Sequence, residues 1–282
     1  MPKIEVKSLS TENIDDEIVC CLGKQLFENP PPEFAAGIEY KRNWLRKQIS
    51  RYGEAGKIAY RNNEPVGFLE FVPDEIAPIT MTEKERFVFV DCYYVLRKEQ
   101  RKGIGSALIN STIQEFSKAH SWFDNKPAQS IKLIAFEKQD WKNAEPFYKM
   151  GFKTELKWLY SGLKHRWIPV LLSFAIQQRE RKVRKIEIKL PVHKSFPLSV
   201  KVFRSVPCPY GSPNFPWVRK VTSKFGRRVK LEILDMWEKP ELTETYGPTP
   251  GTVVNDRLVF ASPKEYQLVL EKTIKNQLKK LE

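Results

Sequence analysis

Between Gln100 and Gly105 the chain reads Gln-Arg-Lys-Gly-Ile-Gly. Ahead of it, Phe87 to Leu96 is a run of aromatic and β-branched residues that predicts a strand. Behind it, Ile104, Ala107, Leu108, Ile113 and Phe116 recur at helical spacing. A short Gly-containing turn entering a helix exposes backbone N–H groups that lack intrahelical partners, and the helix dipole adds partial positive charge at the same place. A diphosphate is well matched to such an end. Gly103 and Gly105 let phosphate oxygens approach the main chain without a β-carbon in the way, and Arg101 and Lys102 add charge at the rim.

The elements that must hold this loop follow from the hydrophobic pattern. Thr11 is a helix cap ahead of Ile14, Ile18, Val19, Leu22 and Leu26, and a second helix is expected from about Glu33 to Tyr52 after the stop at Pro30-Pro31-Pro32. Two short strand-like runs around Asn62-Asn63 predict a β-hairpin. The run from Phe87 to Leu96 is too continuously apolar for one solvated face, so it predicts a central strand covered on both sides, with the chemistry at its end. A strand at 131–138, a short helix near Trp141 to Met150 closed by Gly151, and strands at 153–160 and 167–174 finish a first domain. The second unit reads as strand (SVKVFRS), helix near Pro216 to Phe225, strand (VKLEILDM), Pro-rich turn, two strands (GTVVND, RLVF) and a helix from Pro263 to Leu281.

A chain of 282 residues exceeds the usual single domain, and we place boundaries at 1–175, a linker at 176–197, and 198–282. With 41% hydrophobic residues it is too apolar to be disordered, while its longest apolar stretch, Trp167 to Ile176, is short of the roughly 20 residues that span a bilayer. The N-terminal sequence lacks the organisation of a secretory signal, so a cytoplasmic protein is expected. Cys20, Cys21, Cys92 and Cys208 show no paired C-x-x-C spacing; reduced thiols and no metal site are expected. Part of the formal charge of +14 lies between Gln177 and Lys194, where seven basic residues face only Glu180 and Glu187. With no aromatic residues interleaved, a solvated linker is the expected reading over a nucleic-acid patch.

The stretch VLRKEQRKGIGSALI, Val95 to Ile109, resembles in register the signature of the Gcn5-related N-acetyltransferase (GNAT) superfamily. A second element of that family is matched by Ala144-Glu145-Pro146-Phe147-Tyr148-Lys149-Met150-Gly151-Phe152. The resemblance implies an α/β (α+β) fold with a mixed central sheet flanked by helices, and acetyl transfer from acetyl-CoA to a primary amine of a small molecule or protein. It implies cofactor contacts at Tyr94, Val95, Leu96, Gln100, Arg101, Lys102, Gly103, Ile104, Gly105 and Ser106. The fourth and fifth strands are expected to splay beside a bulge, with the Val95 N–H polarising the thioester carbonyl. Tyr148 matches the family's frequent general acid, whereas Trp141 stands where many members carry Asn. Phe89 occupies the position of the glutamate base of histone-type members, which leaves Asp91, on the same strand face, and Glu70, on the neighbouring strand, as candidate bases. For each a structural carboxylate is an equal alternative. Cys92 is expected to be a small buried hydrophobe.

Over nearly its whole length the chain resembles acetyltransferases that precede a YoaP-like, thioredoxin-fold domain, through Trp44-Leu45, Pro65 to Glu70 and Pro216-Trp217. The resemblance implies a thiol either at Cys208 or at the position of Phe215, and either alignment lacks a dithiol; Pro250 is expected to be the fold's cis-proline. The 198–282 domain is therefore expected to recognise substrate or act as scaffold. Rival readings are a catalytically silent acyl-CoA sensor and an RNA-binding protein using the linker's basic residues.

Overall fold

The protein is described by a computed structural model covering residues 3–79, 85–137, 143–161, 168–177, 182–205, 207–211, 214–248, 250–259 and 265–282. In chain order it contains β1 (Ile4–Ser8), α1 (Ile14–Leu22), α2 (Lys24–Glu28), α3 (Pro32–Tyr52), β2 (Gly56–Arg61), β3 (Glu64–Pro73), β4 (Phe87–Val95), α4 (Ile104–Phe116), β5 (Ser130–Glu137), α5 (Glu145–Lys149), β6 (Lys153–Tyr160), β7 (Ile168–Ala175) and β8 (Arg184–Ile188). There follow β9 (Leu198–Arg204), α6 (Asn214–Ser223), β10 (Val229–Asp235), α7 (Leu242–Tyr246), β11 (Thr252–Val254), β12 (Arg257–Leu258) and α8 (Tyr266–Leu278).

The first sheet runs β1-β2-β3-β4-β5-β7-β6-β8, so the apolar β4 is central as its composition requires. β1 to β4 are antiparallel neighbours, β4 and β5 are parallel, and β6 and β8 are parallel. On one face α4 packs Leu108, Ile109 and Phe116 into a core with Leu69, Phe71, Val88, Val90, Ile131 and Leu133. On the other, Ile18 of α1 and Leu45 of α3 pack on Ile58 and Phe68. Leu69 and Phe68 thus take opposite faces, as the two-residue strand period dictates. At the β2–β3 turn Asn62 and Asn63 both adopt the left-handed conformation, φ 53° and 64°, which Asn tolerates and which matches the twist of a tight hairpin.

The second sheet has the order β10-β9-β11-β12, with β10 parallel to β9 and the other neighbours antiparallel. Its core joins Leu198, Val200 and Val202 to Val218 and Val221 of α6 and Leu270 and Ile274 of α8. The two parts meet along α3. Trp44 packs edge-on against Trp237 with ring centroids 5.2 Å apart, Phe34 against Tyr210 at 5.6 Å, and Arg204 lies 4.3 Å over the Tyr40 ring.

Several local features differ from the sequence-based expectation. Residues 4–8 form a strand, β1, held by pairing to β2, which a window of five residues does not announce. Asn13, not Thr11, stands at the start of α1, its side chain accepting the Ser10 N–H at 2.8 Å. The expected linker contributes β8, and the Pro-rich turn contains the short helix α7. Trp141, Trp167, Pro263 and the bond joining residue 249 to Pro250 fall outside the described residues. Among the described residues no helix is long and apolar enough to cross a membrane.

Candidate active site

The site begins with an interrupted strand pairing. β4 and β5 are in register only from Phe87↔Ser130 to Val90↔Leu133, although both strands continue for several residues. Beyond Val90 a gap opens between them. At the same level the β3–β4 register shifts: Glu70 faces Cys92 and Phe71 faces Val90, so Asp91 is the extra residue of a β-bulge. The bulge changes which side chains share a face. Val88 and Val90 pack toward α4, yet Cys92 and Tyr94 pack toward α1 and α3, while Tyr93 and Val95 take the α4 side.

Hydrogen-bond alternation then orients the end of β4. The Leu96 N–H donates to Val66 O of β3 at 3.0 Å. Successive residues of a strand aim their backbone groups to opposite edges, so the Val95 N–H and C=O face the gap. Gln100 Nε2 donates to that Val95 carbonyl at 3.0 Å, tying the following loop to the strand end. Glu99, buried, pairs with Arg61 and lies 3.4 Å from Lys102 Nζ. Arg101 has a left-handed backbone, φ 63°.

Gly103 is the cap of α4, with φ 82°, and no side chain caps this helix. The first-turn bond recorded at this end is Ala107 N–H to Gly103 O at 2.9 Å, which leaves the amides of Ile104, Gly105 and Ser106 facing outward from the helix start. A β-carbon at Gly103 would meet nothing within 4 Å, so the left-handed φ and not crowding favours glycine. Gly105 is different. A β-carbon there would lie 1.9 Å from the Tyr93 hydroxyl, so the close neighbour of Gly105 is a side chain where sequence reasoning placed a phosphate oxygen. The residues present still suit a diphosphate: three amides converge beside Arg101 and Lys102, both exposed.

Across the gap, α5 carries Tyr148. Its hydroxyl lies 2.8 Å from Thr154 Oγ1 and donates to Glu137 Oε1 at 3.3 Å, and Glu137 in turn receives Lys157 Nζ at 2.6 Å. Burial raises the Tyr148 phenol above its ordinary value, which keeps it protonated. Next to it Phe147 stacks edge-on with Tyr93 at 5.3 Å, and burial pushes Tyr93 up to about 12.

The two candidate carboxylates sit on the opposite face. Glu70 is fully buried and ion-paired to Lys41 of α3, itself buried. Glu17 of α1, also fully buried, stands 3.7 Å from the same ammonium. Burial raises the Glu17 carboxyl well above the carboxylate range, opposed by Lys41 and reinforced by Glu70. Burial alone would lower Lys41, but the Glu17 and Glu70 carboxyls raise it well above its usual value. Two acids therefore share one firmly held ammonium. Asp91 is buried and close enough to Lys41 to act on its charge. Sequence reasoning missed Glu17 and Lys41. The available signal was a charged residue inside an apolar helical stripe: Lys41 falls three after Ile38 and four before Leu45.

Residues 24–152 match the family model "Acetyltransferase (GNAT) family". Solved structures similar to the chain include a PaiA N-acetyltransferase from Thermoplasma acidophilum in complex with coenzyme A, 16% identical, TM-score 0.40, covering 61% of this chain and 99% of that one. A GNAT-family acetyltransferase from Bacillus cereus is 15% identical with TM-score 0.41, covering 62% and 99%. One from Streptococcus pneumoniae is 14% identical with TM-score 0.43, covering 62% and 100%. None of the curated proteins compared matches the chain.

Proposed function

We propose that this chain, through the GNAT acetyltransferase domain it contains, transfers an acetyl group from acetyl-CoA to a primary amine of a small molecule or protein. The reading is carried by one observation: a gap between parallel strands, lined by the Val95 N–H, opens toward the uncapped start of α4. A diphosphate at the amides of residues 104–106 and a thioester in the gap are both served by that arrangement.

In this proposal Arg101, Lys102 and the loop from Gln100 to Ser106 hold the diphosphate, while Tyr94, Val95 and Leu96 line the acyl arm. The Val95 N–H donates to the thioester oxygen as negative charge develops there. The amine attacks directly after losing a proton to Asp91, through water where the distance requires it. Glu70 serves as a base only by giving up Lys41. Tyr148 donates its proton to the departing thiolate, a role suited to a phenol held protonated.

The strand order β10-β9-β11-β12 and the β-α-β-α-β-β-α sequence support a thioredoxin-like reading of residues 198–282. We assign this part to acceptor recognition, because its Tyr210 packs on Phe34 in the first turn of α3, the helix that also carries Lys41 to Glu70. Residues 1–175 together with β8 are then the transferase domain, and the rest of 176–197 is the connection.

Calorimetry with coenzyme A and acetyl-CoA, followed by acetyl-CoA consumption over a panel of amines, tests the reading. Saturable binding with turnover on at least one amine is expected; absence of binding by both nucleotides sinks it. One observation favours the sensor alternative, the capture of Glu70 by Lys41, and tight binding without turnover on any amine selects it.

A further inference from the structure

β6 also carries a bulge, and it decides what surrounds Tyr148. Thr154 faces Leu172 of β7, Leu156 faces Leu171 and Lys157 faces Val170, so Glu155 is the extra residue. In an unbroken strand Thr154 and Lys157, three positions apart, would point to opposite faces. Across the bulge they stand against Leu172 and Val170, which share one face of β7 and belong to the core that holds Leu108 of α4 and Phe147 of α5. Glu155 turns the other way and pairs with the buried Lys132 at 3.0 Å.

Glu137 meets these two residues from the end of β5, beyond Leu133, where pairing with β4 has stopped. Its Oε1 accepts from the Tyr148 hydroxyl at 3.3 Å and from Lys157 Nζ at 2.6 Å. A phenol has one proton to give. With that proton directed at Glu137, the Thr154 hydroxyl, 2.8 Å away, is left to donate to the phenol oxygen. Burial, the largest influence, and the Glu137 carboxylate raise the phenol, while the Thr154 hydroxyl and Lys157 lower it. The set thus holds the proton on Tyr148 at rest and keeps a donor ready for the oxygen once the proton has left. Glu137 and Lys157 are 23% and 27% exposed, so water reaches the far side of the carboxylate.

We propose that Glu137, Thr154 and Lys157 are positioning residues that reload Tyr148 with a proton in each cycle, an inference that rests on the acid role given to Tyr148 above. When the Tyr148 O–H bond breaks and the S–H bond of coenzyme A forms, the phenolate keeps the electron pair and accepts a hydrogen bond from Thr154. Glu137 takes a proton from water and passes it across its hydrogen bond to the phenolate oxygen, which restores both the phenol and the carboxylate. Lys157 keeps that carboxylate against the phenol throughout. For a neutral amine the proton lost by the acceptor and the proton drawn from water balance.

Tyr148 is followed first without turnover, by NMR titration of the full chain labelled with carbon-13 at the tyrosine ζ position, the signal being assigned with Tyr148→Phe. Glu137→Gln should move the phenol titration down and Lys157→Met should move it up. Under turnover, Glu137→Gln keeps the side chain's shape and an acceptor oxygen but cannot carry the proton. It should lower kcat about tenfold or more, leave KM for acetyl-CoA unchanged and enlarge the solvent deuterium isotope effect on kcat. Thr154→Val should lower kcat, and Thr154→Ser should recover it. A wild-type kcat in Glu137→Gln, a lowered kcat with the isotope effect unmoved, or a Tyr148 titration indifferent to both charge changes overturns the proposal. Read on an active wild type, those outcomes strike the relay alone; a wild-type chain that turns over no amine fails the acetyl-transfer reading and takes the relay with it.

Discussion

Lys41 and Glu70 form an ion pair with both side chains sealed from solvent, and Glu17 stands 3.7 Å from the same ammonium. Removing one member of a buried pair leaves an uncompensated charge, which costs about 3–5 kcal/mol. Lys41→Met should lower the stability of the first domain by that order in urea unfolding, whereas Glu70→Gln, which keeps a hydrogen-bond acceptor, should cost less. Equal and small losses would show that the pair is already neutralised.

Glu54 offers a titration to follow. It lies 2.8 Å from Lys57 Nζ, near Glu115 and His120, and burial raises its carboxyl to about 7. Its folded pKa exceeds the unfolded value, so the folded state binds more protons in this window. Its contribution is fully present below about 4.5 and is lost as pH rises through about 7. Glu54→Gln should flatten that part of the stability-versus-pH curve; an unchanged slope refutes the assignment.

Gly105 and Tyr93 make a pair that can be tested by a double mutant. Gly105→Ala forces the Tyr93 hydroxyl away from a β-carbon 1.9 Å distant, and overpacking of this kind costs about 1–3 kcal/mol. Tyr93→Phe, made in the Gly105→Ala background, should restore most of the loss in thermal unfolding. Additive losses would mean that the two residues do not interfere.

For Tyr148→Phe the expected outcome is a reduced kcat with acetyl-CoA affinity little changed, read by steady-state kinetics and calorimetry. An unchanged kcat removes the acid role and leaves the hydroxyl as a structural partner of Thr154 and Glu137.

The strand at Phe87, the hairpin at Asn62-Asn63 and the loop at Gly103 were legible because each depends on local chemistry: apolar continuity, tolerance of positive φ, and a helix start. Asp91 was named and the resemblance implied a bulge on the fourth strand, but that Asp91 is its extra residue was not legible, because a bulge's position depends on which β3 residue stands opposite. Lys41 and Glu17 escaped notice for a related reason. Each is a charge on an apolar helix face, and only the fold shows that α1, α3 and β3 bring the charges together.

β8 hydrogen-bonds alongside β6 from Leu156↔Arg184 to Tyr160↔Ile188. A chain cut after residue 176 would strip that cover and leave a row of backbone donors and acceptors on β6 in water, a template onto which other molecules dock as extra strands. Oligomers or precipitate from such a shortened protein would then report the scissors and not the physiology, and a separable transferase unit has to run through at least Ile188.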